Sequence, residues 1–378
     1  MKRPKRPAEI CNRWVDLVDQ PENPVKRPLF VDDSELSMKV LVTGSSGFIG
    51  QALVRRLQAE GFEVAGLDKG SGATTTHVCD ILDAGRLNQA VQESSPDALV
   101  HLAARIDLDE KTDLAGYTAN IEGVQNVIAA VRLTPSIRRA IWTSSQLVCR
   151  VGYVPRNDTD YTADTLYGQS KVRTEQIVRE QDGAGREWCL ARPTTVWGPG
   201  MSAHYQRFLR MIERGYYFHV GNQPLWKSYS YIENIAFQYL RLLEAPAELI
   251  HGKTFYLADY KPIDLLAWSD AFQRAFNSRA IPHMPLSIAR ILAGCGDAVN
   301  AIGLRKFPFN SFRLNNVLTQ YQFDLKPTEA VCGPLPYNME QGVEETAAWL
   351  RELPPGPDVA GHPDHRIAGK PPVEKIHP

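Results

Sequence analysis

Thr43-Gly44-Ser45-Ser46-Gly47-Phe48-Ile49-Gly50 sits directly behind the apolar stretch Lys39-Val40-Leu41-Val42. The glycines of this turn have distinct physical uses. Gly44 permits a tight bend, Gly47 lets the backbone approach a pyrophosphate, and Gly50 allows the following helix to pack closely on a sheet. The segment Phe48–Glu60 reads as that helix, with Ile49, Ala52, Leu53 and Leu57 inward and Gly61 closing it. Its N-terminus offers amide donors and the positive end of a dipole to phosphates. Glycines also mark ordinary strand–helix turns, so the pattern gains weight from its place between a strand and a helix.

Working outward, Glu63–Leu67 reads as a second strand that closes on Asp68, 18 residues after Gly50. A carboxylate there accepts hydrogen bonds from ribose hydroxyls and repels a 2′-phosphate, which predicts NAD rather than NADP. Pro96-Asp97 introduces the strand Ala98–Leu102, then come a helix around Thr118–Val131, a strand at Arg139–Thr143, a helix at Tyr167–Glu180 and a short strand at Trp188–Ala191. Such alternation predicts an α/β fold, a doubly wound parallel sheet covered by helices on both faces. After Pro193 the texture turns Pro-, Gly- and aromatic-rich, as expected of a smaller C-terminal substrate-binding region. The expected organisation is an N-terminal extension at 1–37, a dinucleotide-binding core at 38–195 to which 229–260 returns, a mainly substrate-binding region at 196–350, and a disordered tail at 351–378. Met38 stands just before the first strand. The extension reads as a poorly ordered appendage with one helix around Trp14 to Val18, although Met38 as the original start is the competing reading.

The 378 residues suffice for a large core, and 42 basic against 43 acidic residues give a net charge of -1, so no global field draws nucleic acid. No apolar run approaches the ~20 residues that cross a bilayer. Cys11, Cys79, Cys149, Cys189, Cys295 and Cys332 are scattered, which predicts neither a metal site nor a disulfide scaffold and fits a cytoplasmic protein.

Tyr167-Gly168-Gln169-Ser170-Lys171 places a phenol and an ammonium four residues apart, on one face of a helix. A free phenol titrates near pH ~10 and is a poor base at neutrality. A neighbouring ammonium and a positive nicotinamide ring both favour the phenolate, making proton abstraction feasible. Thr143-Ser144-Ser145 ends the preceding strand and supplies hydroxyls at the mouth of the sheet. A dinucleotide cradle with a Tyr/Lys pair is the minimum equipment for hydride transfer at a carbinol.

With these motifs the chain resembles an extended short-chain dehydrogenase/reductase of the NAD-dependent epimerase/dehydratase kind, over roughly residues 38–350. The resemblance rests on TGSSGFIG, Asp80-Ile81, His101-Leu102-Ala103-Ala104, Asn120, the serines at 144–145, YGQSK and RPTTVWGPG at 192–200. It implies a Rossmann-type fold binding NAD. Gly44, Ser46, Gly47, Phe48, Ile49 and Gly50 would cradle the phosphates, Asp68 the ribose, and Asp80 and Ile81 the adenine. Leu102, Ala103 and Ala104 would line the cofactor and Pro193 would lie on the nicotinamide side. Asn120 would brace the active-site helix. Ser145 would polarise the reacting oxygen, Tyr167 would be the acid/base, and Lys171 the ribose anchor and modulator of the phenol. His101 reads as a packed strand-end residue.

Departures from the family pattern exclude reactions. Dehydratases of the family carry Asp-Glu where this chain has Gln146-Leu147, decarboxylating members carry Glu at Leu147, and 3,5-epimerising members carry Cys at Gln146. What remains is hydride chemistry at one carbinol, either redox-neutral 4-epimerisation or net oxidation or reduction. The leading expectation is an epimerase acting on a nucleotide sugar, at C4 by the resemblance, with a small-molecule substrate, no nucleic acid, no membrane partner and a homodimer. The alternatives are an NAD(P)-dependent reductase or dehydrogenase of a keto-sugar or steroid-like carbinol, and a non-catalytic dinucleotide sensor. The retained Ser145, Tyr167 and Lys171 argue against the sensor. Thr195 stands where nucleotide-sugar enzymes carry Asn for the substrate's pyrophosphate, and Arg207, Arg210, Lys227 and Arg313 are the basic residues left to meet a diphosphate. Tyr216-Tyr217-Phe218 and the aromatics from Trp226 to Tyr231 read mainly as packing.

Overall fold

The computed structural model describes residues 38–354 apart from 109, 111 and 303–308. The expected N-terminal appendage, its helix near Trp14, and residues 355–378 lie outside the described residues.

The first strand, β1 (Lys39–Thr43), is buried almost throughout, and α1 (Phe48–Ala59) follows the glycine turn. β2 (Glu63–Asp68) and the two-residue β3 (His77–Val78) come next. Then follow α2 (Ala84–Ser94), β4 (Ala98–His101), α3 (Thr118–Arg132), β5 (Arg139–Thr143), α4 (Leu166–Glu180) and β6 (Glu187–Pro193). From Lys39 to Pro193 each sequence-predicted strand and helix is present to within two residues at either end. The helix α2 carries no motif, and its amphipathic face was not singled out in the sequence.

Seven strands form one all-parallel sheet in the order β11-β6-β5-β4-β1-β2-β3, where β11 is Lys253–Leu257 and pairs with β6. Alternation along β1 sends Leu41 to one face and Val40 and Val42 to the other. Leu41, with Leu99 and Trp142, packs under Leu87 of α2, Val124 and Ile128 of α3 and Ile177 of α4. Val40 and Val42 pack instead against Leu53 and Leu57 of α1 and against Tyr239 and Leu243 of α6 (Ile232–Glu244). Full burial of a leucine or isoleucine contributes about 1.5–3 kcal/mol, so these two clusters dominate the fold's stability. Successive strands are added outward from β1 in one direction through β3 and in the other from β4, and at this switch point the carboxyl ends of β1 and β4 open a crevice.

The smaller region begins after β6 with β7 (Thr195–Trp197), α5 (Ala203–Glu213), β8 (His219–Val220), β9 (Trp226–Lys227) and β10 (Tyr229–Tyr231). Beyond α6 come α7 (Ala247–Ile250), β12 (Ile263–Asp264), α8 (Leu265–Phe276), β13 (His283–Met284), α9 (Leu286–Ala301), α10 (Ser311–Leu318), α11 (Lys326–Cys332) and α12 (Met339–Glu352). α12 carries ordered helix through Glu352, two residues into the stretch expected to be tail. Trp197, Leu209, Trp268, Phe272, Val343 and Leu350 make this region's core, so most of the aromatic-rich half is packing as expected. Tyr216 and Trp226 stay exposed. The five described cysteines are unpaired; Cys79, Cys149, Cys189 and Cys332 are buried and Cys295 is exposed. Among the described residues no group of His, Cys, Asp and Glu could hold a metal ion, and no helix is long and apolar enough to cross a membrane.

Candidate active site

A cleft of about 760 Å³ runs across the carboxyl ends of β1, β2, β4, β5 and β6. At one end lies the glycine turn. Gly44 has φ +72°, and a Cβ there would stand 2.7 Å from the backbone nitrogen of Ala103. A Cβ on Gly50 would meet the Gly44 carbonyl at 2.0 Å. Both positions therefore admit glycine alone without backbone movement. α1 is capped by Gly47 with no side-chain hydrogen bond, so no side chain occupies the amides of its first turn, and Phe48, Ile49 and Gly50 line the cleft. An open helix N-terminus in a groove of this size suits a dinucleotide.

Asp68 closes β2 and faces the cleft, its Oδ2 accepting from the Ser46 amide at 3.0 Å and its Oδ1 from the Gly70 amide at 3.1 Å. Asp80, Ile81, Leu102, Ala103, Ala104 and Pro193 also line the cleft. Ser46 does not. Its hydroxyl bonds Thr75 at 2.6 Å, so it ties the glycine turn to the loop after β2 instead of facing a ligand. Asn120 is likewise outside the cleft wall and 2 % exposed. Its amide receives the Arg105 N–H at 2.8 Å and donates to the Arg105 carbonyl and to Ser170 Oγ, at 3.0 and 2.8 Å. It thus fixes the loop after β4 to the middle of α4.

Ser145, Tyr167 and Lys171 meet in the cleft, all buried. α4 starts where Thr165 Oγ1 accepts the Gly168 amide at 3.0 Å, and the helical repeat then aligns Tyr167 and Lys171. Ser145 Oγ accepts from the Leu147 amide at 3.1 Å, and its hydroxyl lies near enough to the Tyr167 phenol to pull that group's pKa down. Lys171 Nζ donates to the Thr143 carbonyl at 2.9 Å. Burial lowers the Lys171 ammonium to about 8, partly opposed by the charge of Glu175 one turn on.

Lys171 and a nicotinamide ring together were expected to favour the phenolate; with the protein's own groups alone, burial pushes Tyr167 up to about 12, with the Ser145 hydroxyl pulling down and Tyr117 pushing up. The protein's own charges do not offset the cost of a dry phenolate. His101 is packed as expected: it is buried, sits edge-on to Trp142 at 5.6 Å and bonds Thr43 Oγ1 at 2.8 Å. Burial, then the Lys171 charge, lower it to about 3, so it is neutral.

The far end of the cleft is lined by Gln146, Leu147, Thr195, Val196 and Tyr205. Gln146 Nε2 donates to Thr195 Oγ1 at 3.3 Å, and Tyr321 OH lies 3.1 Å from the same oxygen. Gln146 Oε1 and Ser144 Oγ are buried without a hydrogen-bond partner among the described residues. None of Arg207, Arg210, Lys227 and Arg313 lines the cleft. Arg210 pairs with Glu213 at 2.8 Å, and Lys227 is buried, donating to the carbonyls of Asn316 and Thr319. Arg105 does reach the cleft, bonding Asp107 at 2.8 Å and the Gly116 carbonyl at 2.6 Å. It lies in irregular chain after β4, where no periodicity marks it.

The model of the NAD dependent epimerase/dehydratase family matches residues 40–258, more than half of the chain. The chain belongs to that family. It is therefore an enzyme of a family whose cofactor is NAD, and the glycine cradle, open helix end and cleft fit that cofactor. It is 26% identical over 317 residues to N-acetyl-alpha-D-glucosaminyl-diphospho-ditrans,octacis-undecaprenol 4-epimerase of Escherichia coli O157:H7, covering 81% of this chain and 93% of that protein. It is 28% identical over 252 residues to the 3-beta-hydroxysteroid dehydrogenase of Mycolicibacterium neoaurum, covering 61% and 68%. The crystal structure of UDP-N-acetylglucosamine 4-epimerase from Bacillus cereus superposes with a TM-score of 0.65 at 19% identity, over 83% of this chain and all of that one. At that identity the likeness is one of fold.

Proposed function

We propose that the protein is an NAD-dependent epimerase acting at a single carbinol of a diphosphate-linked sugar, with C4 as the reacting carbon. The observation that carries this reading is the convergence of Ser145, Tyr167 and Lys171 in a cleft whose next residues, Gln146 and Leu147, hold no acid or base for elimination. NAD, when bound, takes a hydride from the carbinol carbon and returns it. The Tyr167 phenol exchanges the proton of the reacting oxygen. Ser145 Oγ, its lone pair already engaged by the Leu147 amide, donates its own proton to that oxygen. Lys171, anchored on the Thr143 carbonyl, brings a positive charge beneath the site and a donor for the nicotinamide ribose. Gly44 to Gly50 hold the pyrophosphate, Asp68 the adenosine ribose, and Asp80 and Ile81 the adenine. The long coverage of an epimerase named for a sugar on undecaprenyl diphosphate supports the sugar reading.

The charge-free wall of Gln146, Leu147, Thr195, Val196 and Tyr205 favours a second reading, a net dehydrogenase or reductase of an uncharged carbinol or ketone. The two are separated by incubating the purified protein with UDP-N-acetylglucosamine and with undecaprenyl diphosphate-linked N-acetylglucosamine, then resolving isomers. Epimerisation yields an isomer without net NADH. Stoichiometric NADH with no isomer overturns the first reading in favour of the second.

A further inference from the structure

Two buried polar atoms that line the cleft have no hydrogen-bond partner among the described residues, Ser144 Oγ and Gln146 Oε1. They flank Ser145 in the chain, yet they lie at different depths. Ser144 is 3 % exposed, whereas Gln146 is half-buried. A hydroxyl shut away from water without a partner costs free energy, so an orphan lining a groove marks a place where a ligand completes the bond. The outer orphan belongs to the end of the cleft that Gln146 forms with Thr195. The inner one has no part in the reaction assigned above.

Neighbouring bonds fix where Ser144 stands. Thr143 pairs with Ala191 across β5 and β6, and the Ser144 amide donates to the Ala191 carbonyl at 2.7 Å. Ser144 therefore runs beside Arg192 and Pro193, the latter being the wall assigned to the nicotinamide side. One residue back, the Thr143 carbonyl holds the Lys171 ammonium at 2.9 Å, the donor assigned to the nicotinamide ribose. Free donors are scarce along this wall. Pro193 has no N–H, and the Thr194 amide is taken by the Leu257 carbonyl at 3.1 Å. The Thr194 hydroxyl lies 3.5 Å from Ser230 Oγ, and Ser145 serves the reacting oxygen. A carboxamide on a ring lying against Pro193 thus meets one uncommitted group at this level, the Ser144 hydroxyl.

We propose that Ser144 is a cofactor-binding residue whose hydroxyl donates to the carboxamide oxygen of NAD and so fixes which face of the nicotinamide ring meets the carbinol. The inference rests on the NAD placement given above, and it holds for an epimerase and for a net dehydrogenase alike. Holding the carboxamide opposes rotation of the ring about its bond to the ribose, so that hydride leaves and returns on one ring face. Ser145 and Tyr167 act on the substrate oxygen, and Ser144 on the cofactor alone.

Calorimetric titration of the nucleotide-free full chain tests this with three ligands: NAD, ADP-ribose, and the thionicotinamide analogue of NAD, whose sulfur is a weak acceptor. The parent is expected to bind NAD about 5–10-fold more tightly than the analogue, the worth of one neutral hydrogen bond. Ser144→Ala weakens NAD by about the same factor, leaves ADP-ribose within about twofold, and binds NAD and the analogue alike. Because the substitution removes an unpartnered hydroxyl, melting without nucleotide occurs at or above the temperature of the parent. A lower one assigns the hydroxyl to the fold and overturns the proposal. Unchanged NAD affinity, or a preference for NAD over the analogue that survives the substitution, overturns it as well. So does a raised KM for the substrate at unchanged NAD affinity, which assigns Ser144 to the substrate. A parent that binds none of the three ligands denies the NAD placement and this inference together, whereas NAD binding indifferent to Ser144 denies the inference alone.

Discussion

Arg192 of β6 and Glu175 of α4 form a two-pronged ion pair in the interior, Nε to Oε1 and Nη2 to Oε2 both at 2.7 Å, with side chains 1 % and 0 % exposed. Tyr161 donates to the same carboxylate at 2.9 Å, and the guanidinium also reaches Tyr256 OH and the Asp158 carbonyl. The pair joins two parts of the cleft, since Glu175 is one turn beyond Lys171 and Arg192 directly precedes Pro193. Removing one partner leaves the other buried and uncompensated. Glu175→Gln is expected to cost about 3–5 kcal/mol, read as a lowered denaturant midpoint, whereas Glu175→Leu with Arg192→Met costs far less. An unchanged midpoint for the single variant would deny the pair its role.

Tyr167→Phe removes the hydroxyl proposed to carry the proton and keeps the ring. The ring is buried and lies 6.1 Å from that of Tyr117, so the fold keeps its packing. kcat is expected to drop about 10²–10⁴-fold, with NAD binding by fluorescence titration unchanged. Turnover near that of the parent enzyme would mean another group moves the proton.

Lys171 makes stability depend on pH in a defined window. Its ammonium is lowered from 10.5 to about 8 by burial. Below pH 8 both the folded and unfolded chains carry the proton, and the folded state bears the cost of a buried charge. Between pH 8 and 10.5 the unfolded chain holds more protons, so the Lys171 contribution to stability rises with pH and levels off above 10.5. Lys171→Met is therefore expected to be more stable than the parent at pH 7, by about 3 kcal/mol at most, with the advantage shrinking toward pH 10.5. Urea midpoints at pH 7 and pH 10 measure it. An advantage that grows with pH would contradict the sign.

The alternation of strands and helices from Lys39 to Ala191 was legible because each element buries a face, which stamps a period on its residues. The glycine turn and Asp68 were legible because a fixed backbone shape admits few residue types. The role of Asn120 was legible as a brace, but its partners, Arg105 and Ser170, were not. Pairings such as Thr195 with Tyr321, 126 residues apart, leave no local pattern, and neither does Lys227 buried against carbonyls of α10 and the turn after it. The burial of the Tyr167 phenol was hidden for a related reason. Sequence showed the ammonium nearby, and only the packed structure showed how dry the phenol is.

Gly50→Ala tests the cradle. The added methyl would meet the Gly44 carbonyl at 2.0 Å, and Gly44 itself is pinned by its amide bond to the Leu67 carbonyl at 2.7 Å. Relief requires moving the turn away from β2 or lifting α1 off the sheet, and either displaces the amides proposed to hold the phosphates. NAD affinity is expected to fall by about 100-fold or more, roughly two hydrogen bonds to charged groups. Calorimetric titration with NAD reads this directly, and binding as tight as in the parent would place the pyrophosphate elsewhere.

Gln146 is the side chain best placed to hold the substrate without taking part in proton transfer. Its Nε2 is engaged with Thr195, which orients the amide, and its Oε1 is buried with no donor among the described residues. A hydroxyl or amide N–H of the substrate would supply that donor equally before and during reaction. Gln146→Ala is therefore expected to raise KM by about 5–10-fold, the worth of one neutral hydrogen bond, and to leave kcat within about twofold. A fall in kcat at constant KM would instead mean that Gln146 bears on the reacting oxygen itself.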